Sequence, residues 1–189
     1  MELTLPTEWI ARLPTDRPVT ATDVLQLPEG PPHVELIAGE VVVSPSPIPI
    51  HSRAAGRLFL ALRHRCPTDL EVFCQPLDWM IDDLNLLAPD LLVTPRTHVG
   101  PKRLDGPPTL VVEILSPSTR ARDLAIKREA YARGDAHHYW IVDPAVPRLH
   151  VLRRTRVGTY ETVVDLSGSG TFQTDDPYPI GIDVADLVR

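Results

Sequence analysis

Thr109-Leu110-Val111-Val112-Glu113-Ile114-Leu115 is the stretch that decides the fold. It is apolar on both of its alternating faces, so it reads as a strand buried in the middle of a sheet and covered from two sides. After Ser116-Pro117, a helix is expected over Thr119 to Arg133, with Ser118 or Thr119 as N-cap and Gly134 to end it. His138 to Val142 then reads as a second buried strand. Upstream, Ala88 to Thr94 and Glu71 to Ile81 supply two more strands, and the Pro-rich and Gly-rich stretch from Pro95 to Pro108 is surface loop that could border a site. Before these, His51 to Arg65 is an amphipathic helix, with Ala55, Leu58, Phe59 and Leu62 on one face and Arg53, Arg57, Arg63 and Arg65 on others. The order helix, three strands, helix, strand predicts an α/β chain (α+β with a mixed sheet) with helices packed on that sheet.

The flanks are less regular. Thr20 and Asp23 form a capping-box pattern on a short helix that Pro28 and Gly30 end. His33 to Leu36 and Val41 to Ser44 make a hairpin around Ala38-Gly39, and the prolines of Ser44 to Pro49 predict a stiff extended connector. A second hairpin is expected from Arg148 to Leu152 and Thr159 to Val164 around Gly158. Ser167-Gly168-Ser169-Gly170 is a flexible turn, and Ile180 to Val188 a closing segment of undecided type. One domain over 1–189 is expected, with 1–19 as an N-terminal extension and 166–189 as a tail.

Hydrophobic residues at 43% and charged residues at 23% are ordinary for a globular protein. No apolar run reaches a membrane span, and Glu2, Pro6 and Glu8 break any signal-peptide pattern, so a cytoplasmic location without membrane attachment is expected. Cys66 and Cys74 are too few for a disulfide framework and are expected as reduced core residues. A net charge of −6 argues against non-specific coating of nucleic acid. A site for divalent cations, however, concentrates carboxylates, and the bound ion reverses the charge that a phosphate meets.

Asp90, in Ala88-Pro89-Asp90-Leu91-Leu92-Val93, and Glu113 each place one carboxylate in an otherwise apolar strand. A buried unpaired charge costs several kcal/mol, so each needs a cation, either a basic side chain or a metal. The plainer alternatives are a strand-start turn acid for Asp90 and a structural salt bridge for Glu113. Pro89-Asp90 followed by Glu113 resembles the split pattern of the PD-(D/E)XK nuclease superfamily. Its last letter departs, because Leu115 stands where that superfamily has lysine, and Lys127 on the following helix is the candidate replacement.

Val112 to Arg120, the Lys127 helix and Tyr139-Trp140-Ile141-Val142-Asp143-Pro144, with Glu35 to Glu40 and Ser44-Pro45 earlier, resemble the bacterial Uma-type family of restriction-endonuclease-like proteins over about residues 20 to 165. The resemblance implies that Asp90, Glu113 and the Ile114 carbonyl hold Mg²⁺ or Mn²⁺ and that Lys127 orients the attacking water. It further implies a phosphodiester hydrolase acting on nucleic acid, with DNA as the expected substrate, working as a homodimer. Two alternatives stand beside it: a binding or regulatory domain that kept the fold without turnover, and a metal hydrolase of another phosphate ester.

Glu35 is either a third acid near the metal or a strand residue facing solvent, and Glu40 belongs to the hairpin surface. His51 begins a helix and is a candidate substrate contact, against the plainer reading of an exposed histidine. His137 and His138 point to opposite faces of a strand, and His51 and His64 lie about 140° apart on a helix, so neither pair makes a zinc site. Ser116 lacks the Gly-x-Ser-x-Gly setting of a nucleophile and suits a turn or a substrate contact. Of Arg120, Arg122 and Arg128, Arg120 is the leading candidate to meet a phosphate.

Overall fold

The computed structural model describes residues 5–28, 30, 32–43, 46–74, 76–117 and 119–189. A four-stranded sheet runs in the order β2 (Glu40–Val43), β1 (Val34–Ile37), β5 (Asn85–Leu87), β4 (Trp79–Asp82). A six-stranded sheet follows the order β10 (Tyr160–Ser167), β9 (Arg148–Arg154), β8 (His138–Asp143), β7 (Leu110–Ile114), β6 (Leu91–Pro95), β3 (Leu70–Phe73). Only β7 and β8 run parallel within it, as a pair joined by helical crossover must, and the other neighbours are antiparallel.

Strand alternation assigns the two faces of β7. Leu110, Val112 and Ile114 join the core under α3 (Pro49–His64), which contributes Ala54, Leu58 and Leu62. Val111 and Leu115 join the opposite core, with Ala130 and Tyr131 of α5 (Ile126–Arg133). Glu113 therefore points toward α5 rather than α3. A third cluster gathers Trp9 of α1 (Thr7–Ile10) and Ala21 and Val24 of α2 (Ala21–Leu25) on Leu36 and Leu86 of the smaller sheet. The Thr20 and Asp23 capping box is present, and Ala38 and Gly39 both take positive φ, as a tight two-residue hairpin turn requires.

Several expectations need correction. Glu71 to Ile81 is not one strand: β3 belongs to the large sheet and β4 to the small one, with Pro76 in the irregular crossing between them. The connector ends early, because Pro49 is the first residue of α3, where its missing N–H costs nothing; Ser44 and Pro45 lie outside the described residues. The helix expected over 119–133 breaks at Ala125 (φ −121, ψ −77) into α4 (Arg120–Leu124) and α5. There the Asp123 carbonyl, which a continuous helix would bond to the Lys127 N–H, accepts the Tyr139 hydroxyl at 2.8 Å instead. The Thr119 side chain makes no cap, and Ser118 lies outside the described residues. Gly134 ends α5 without a left-handed φ; a Cβ there would come within 2.7 Å of the Trp79 ring.

The supposed tail is core. β11 (Thr171–Thr174) and β12 (Ile180–Asp183) form a hairpin that buries Phe172, Ile180 and Ile182 against the α3 side of the sheet. The extension before residue 20 likewise buries Trp9. Of the cysteines, Cys66 is only partly buried and Cys74 is exposed, both as free thiols. Phe172 meets Trp140 edge-on with ring centres 5.4 Å apart. Phe172→Ala should therefore cost about 3–5 kcal/mol in chemical denaturation, whereas a loss below about 1 kcal/mol would return this hairpin to the status of a tail.

Candidate active site

The ladder between β6 and β7 ends at the pair Leu91 and Val112, because Pro89 cannot continue it. Asp90 is thus the last residue before β6, in a bend rather than in the strand, level with the end of β7. The Ile114 N–H, left without a strand partner on that side, donates to Asp90 Oδ2 at 2.7 Å. His51, in the first turn of α3, approaches the same oxygen through Nε2 at 3.2 Å. Burial lowers the His51 pKa, but the hydrogen bond and charge of Asp90 outweigh it, and the net direction is upward.

On the other face of β7, Glu113 is buried and accepts two hydrogen bonds on Oε1, from Lys127 Nζ at 3.0 Å and from the Tyr131 hydroxyl. Lys127 and Tyr131 are four residues apart on α5, hence on one face of that helix. Lys127 Nζ also lies 3.0 Å from Glu35 Oε1 and 3.8 Å from Asp123 Oδ1. Glu35 is a buried residue of β1, and its Oε1 accepts the Ala88 N–H at 2.9 Å, just past the end of β5. It does not face solvent, and its carboxylate is turned to Lys127.

Lys127 is 5% exposed. Burial disfavours its ammonium, but Glu113, Glu35 and Asp123 more than offset that, so its pKa is raised and the charge persists at neutral pH. Burial pushes the Glu113 carboxyl well above its usual range, with Lys127 opposing and Asp123, Asp90 and Glu35 adding to the rise. Asp123 is raised for the same first reason, being 1% exposed. Three carboxylates thus converge on one ammonium, and a fourth, Asp90, sits at the end of β7 with the His51 ring beside it.

Among the described residues, Glu35 Oε2, Asp90 Oδ1 and Glu113 Oε2 take no hydrogen bond, and neither does Asp123 Oδ1, which is sealed from solvent. No three His, Cys, Asp or Glu side chains among the described residues are closed into a ready cage, the Lys127 ammonium lying between Glu35 and Glu113. Leu115 is buried on the same face of β7 as Glu113 and packs with the α5 core, so Lys127 comes to that face from the helix.

Two candidates fall outside the cluster. Ser116 Oγ lies 3.0 Å from Thr119 Oγ1 and accepts the Thr119 N–H at 3.3 Å, a turn leading into α4. Arg120 lies in an ion pair with the buried Asp143, away from the Lys127 cluster. The Pro95 to Pro108 loop reaches the site only indirectly, through Leu104 in the core around Trp79 and Tyr131. Asp123 and Tyr131 were missed, although Asp123, Lys127 and Tyr131 recur at intervals of four, a spacing that aligns side chains on a helix.

The family model of Uma2, described as "Putative restriction endonuclease", matches residues 21–186. The crystal structure of a "putative nuclease" from Anabaena variabilis superposes with a TM-score of 0.72, covering 90% of this chain and 98% of that one. At 19% sequence identity that likeness bears on the fold, a restriction-endonuclease-like one. No curated protein matches. The Uma2 match runs from α2 through both sheets to the last turn and takes in each of Glu35, Asp90, Glu113, Asp123 and Lys127, and the chain belongs to the Uma2 family of "putative restriction endonucleases".

Proposed function

We propose that this chain is a metal-dependent endonuclease that hydrolyses phosphodiester bonds of DNA. The observation that carries the reading is the excess of carboxylate over ammonium at the end of β7, with an oxygen of each of Glu35, Asp90, Glu113 and Asp123 left without a hydrogen bond. Hard oxygen donors in such excess fit Mg²⁺ or Mn²⁺, held by Asp90, Glu113 and the Ile114 carbonyl. When bound, the ion supplies Lewis-acid polarisation of the scissile phosphate and acidifies a coordinated water. His51 and the Ile114 N–H fix the Asp90 carboxylate by its Oδ2 and leave Oδ1 free to bind. Tyr131 does the same for Glu113 by holding Oε1. Lys127 presents a fixed positive charge and N–H donors to the attacking water and to the phosphoryl oxygens, where negative charge builds as the P–O bond breaks. Family resemblance supports products carrying 5′-phosphates and a homodimer that cuts both strands; no helix among the described residues is long and apolar enough to cross a membrane.

Cleavage of duplex DNA, RNA and a small phosphodiester, each with and without Mg²⁺ and with Asp90→Ala as control, separates the readings. DNA cleavage lost with the ion and with Asp90→Ala supports this one. Turnover of the small ester alone favours another phosphate esterase, and no turnover at all favours a binding domain. Light scattering at micromolar concentration should give twice the 21.0 kDa chain mass, and a monomer with and without DNA would remove the dimer.

Lys127→Ala should lower cleavage by roughly 10²–10⁴ while calorimetry still detects Mn²⁺ binding. It should also destabilise the metal-free protein by about 3–5 kcal/mol, since Glu35 and Glu113 would lose their buried cation. Arg128, which donates to the Tyr160 carbonyl from another side of α5, should tolerate alanine with cleavage intact.

The raised Asp123 pKa yields a separate expectation. An acid harder to ionise when folded releases its proton first in the unfolded chain, so its contribution turns unfavourable as pH rises through its ordinary value of 3.8. Asp123→Asn should therefore raise the Tm of the metal-free protein at pH 8, and the gain should vanish in acid below that value. A lower Tm at pH 8 would mean that the Lys127 contact outweighs burial.

A further inference from the structure

Between Glu40 and Asp69 the sequence contains no acidic residue, although the chain as a whole carries 25 acids against 19 lysines and arginines. The same interval holds Arg53, Arg57, Arg63 and Arg65, the first three of them in α3 and the last at its end. Ala54, Leu58 and Leu62 turn inward, and Arg53, Arg57, Leu60, Arg63 and His64 are exposed. At 100° per residue, Arg53, Arg57, Leu60 and His64 fall within about 60° of one another. They form one stripe along the outside of the helix, with Arg63 on its flank.

These arginines are not held by the fold. Arg53 reaches only the Val188 carbonyl, at 3.5 Å, and among the described residues Arg57, Arg63 and Arg65 have no carboxylate in ion-pair reach. The acids of the C-terminal turn packed on α3 are engaged elsewhere: Asp186 pairs with Arg189 and Asp183 accepts the Ala185 N–H. By contrast, Arg17, Arg96, Arg120, Arg148, Arg153 and Arg154 all pair with carboxylates. Gly56 adds an independent mark. It sits in mid-helix beside the stripe, where glycine is a poor helix former, yet a Cβ there would meet nothing within 4 Å. Packing does not require it, and its absent side chain leaves the helix backbone open to close approach.

We infer that the outer face of α3 is a docking surface for the phosphate backbone of duplex DNA, an inference that rests on the nuclease reading above. The helix is placed for this, since its first turn carries His51 against Asp90. From residue 53 to residue 64 the stripe spans about 17 Å, which one strand of a duplex covers in about five phosphates. The face displays no exposed Trp, Tyr or Phe ring, so it lacks the row of stacking platforms that single strands use. Its one exposed large apolar side chain, Leu60, is too little for a lipid surface. The field is local, which reconciles DNA binding with a net charge of −6.

The test is fluorescence anisotropy of the full chain with a labelled 30-base-pair duplex in EDTA, over a series of salt concentrations. Binding is read there without metal or turnover, so the stripe can fail while the catalytic reading stands, and the reverse. Arg53→Gln with Arg57→Gln should weaken duplex binding about tenfold and reduce the slope of log Kd against log salt by about 2. Arg12→Gln with Arg156→Gln removes the same charge from other exposed positions and should change affinity less than twofold. Gly56→Gln changes no charge and should weaken binding severalfold in a protein that stays folded. The inference is overturned if the parent does not bind the duplex at 50 mM salt, or if the stripe variant binds no more weakly than the charge-matched control. It is also overturned if Gly56→Gln binds like the parent, because a loss confined to the arginine variants would then report the overall field and not contact at this face.

Discussion

The buried ammonium of Lys127 is the constraint around which the rest is arranged. Removing a lysine charge from water costs several kcal/mol unless anions surround it, and its place in the first turn of α5, at the positive end of a helix, makes the cost greater. Glu35, Glu113 and Asp123 meet that need from three separate places: β1 of the small sheet, β7 of the large sheet, and α4. One ion cluster therefore ties both sheets and the broken helix together. The same arrangement leaves more negative charge than one ammonium can neutralise, which is an unfavourable balance for stability alone and a suitable one for binding a cation.

A row of aromatic rings backs this cluster. Trp79 stacks on Tyr131 with centroids 6.0 Å apart, Tyr131 meets Tyr139 edge-on at 5.2 Å, and Tyr139 leans on Tyr160 at 5.8 Å. Each tyrosine turns its apolar body into the row and spends its hydroxyl on a different acceptor: Glu113, the Asp123 carbonyl and the Ala136 carbonyl. The rings exclude water from one side of the acids and the hydroxyls fix their positions. Gly134 belongs to this wall as well, since only a residue without a side chain lets α5 end against the Trp79 ring.

Much of this was legible in the sequence where one element carries its own signal. The two-sided apolarity of residues 109–115, the 3.6-residue pattern of α3 and the Thr20 and Asp23 cap are local properties, and each gave the right element. The acids at 90 and 113 were legible for a related reason, because a carboxylate in an apolar strand demands a partner. What the sequence hid depends on contacts between distant segments. At the break at Ala125, the Asp123 carbonyl is taken by a hydroxyl 16 residues beyond it. The C-terminal hairpin is short and weakly patterned, and only its packing against α3 and Trp140 makes it core. The partner of Arg120, Asp143, was hidden in the same way, lying 23 residues on at the end of β8.

The lysine that is missing from the strand shows how position and chemistry can be separated. Positions 113 and 115 share a face of β7, so a lysine at 115 would have reached the acids along the strand and left a polar group within the α5 core. Leu115 instead fills that core beside Ala130 and Tyr131. The ammonium then has to arrive from the helix above, where it gains Asp123 one turn earlier and Tyr131 one turn later as neighbours on a rigid scaffold. Relocation thus couples the charge to the helix break: were α4 and α5 continuous, the Asp123 carbonyl would bond the Lys127 N–H, and Tyr139 would lose the acceptor that anchors it beneath the site.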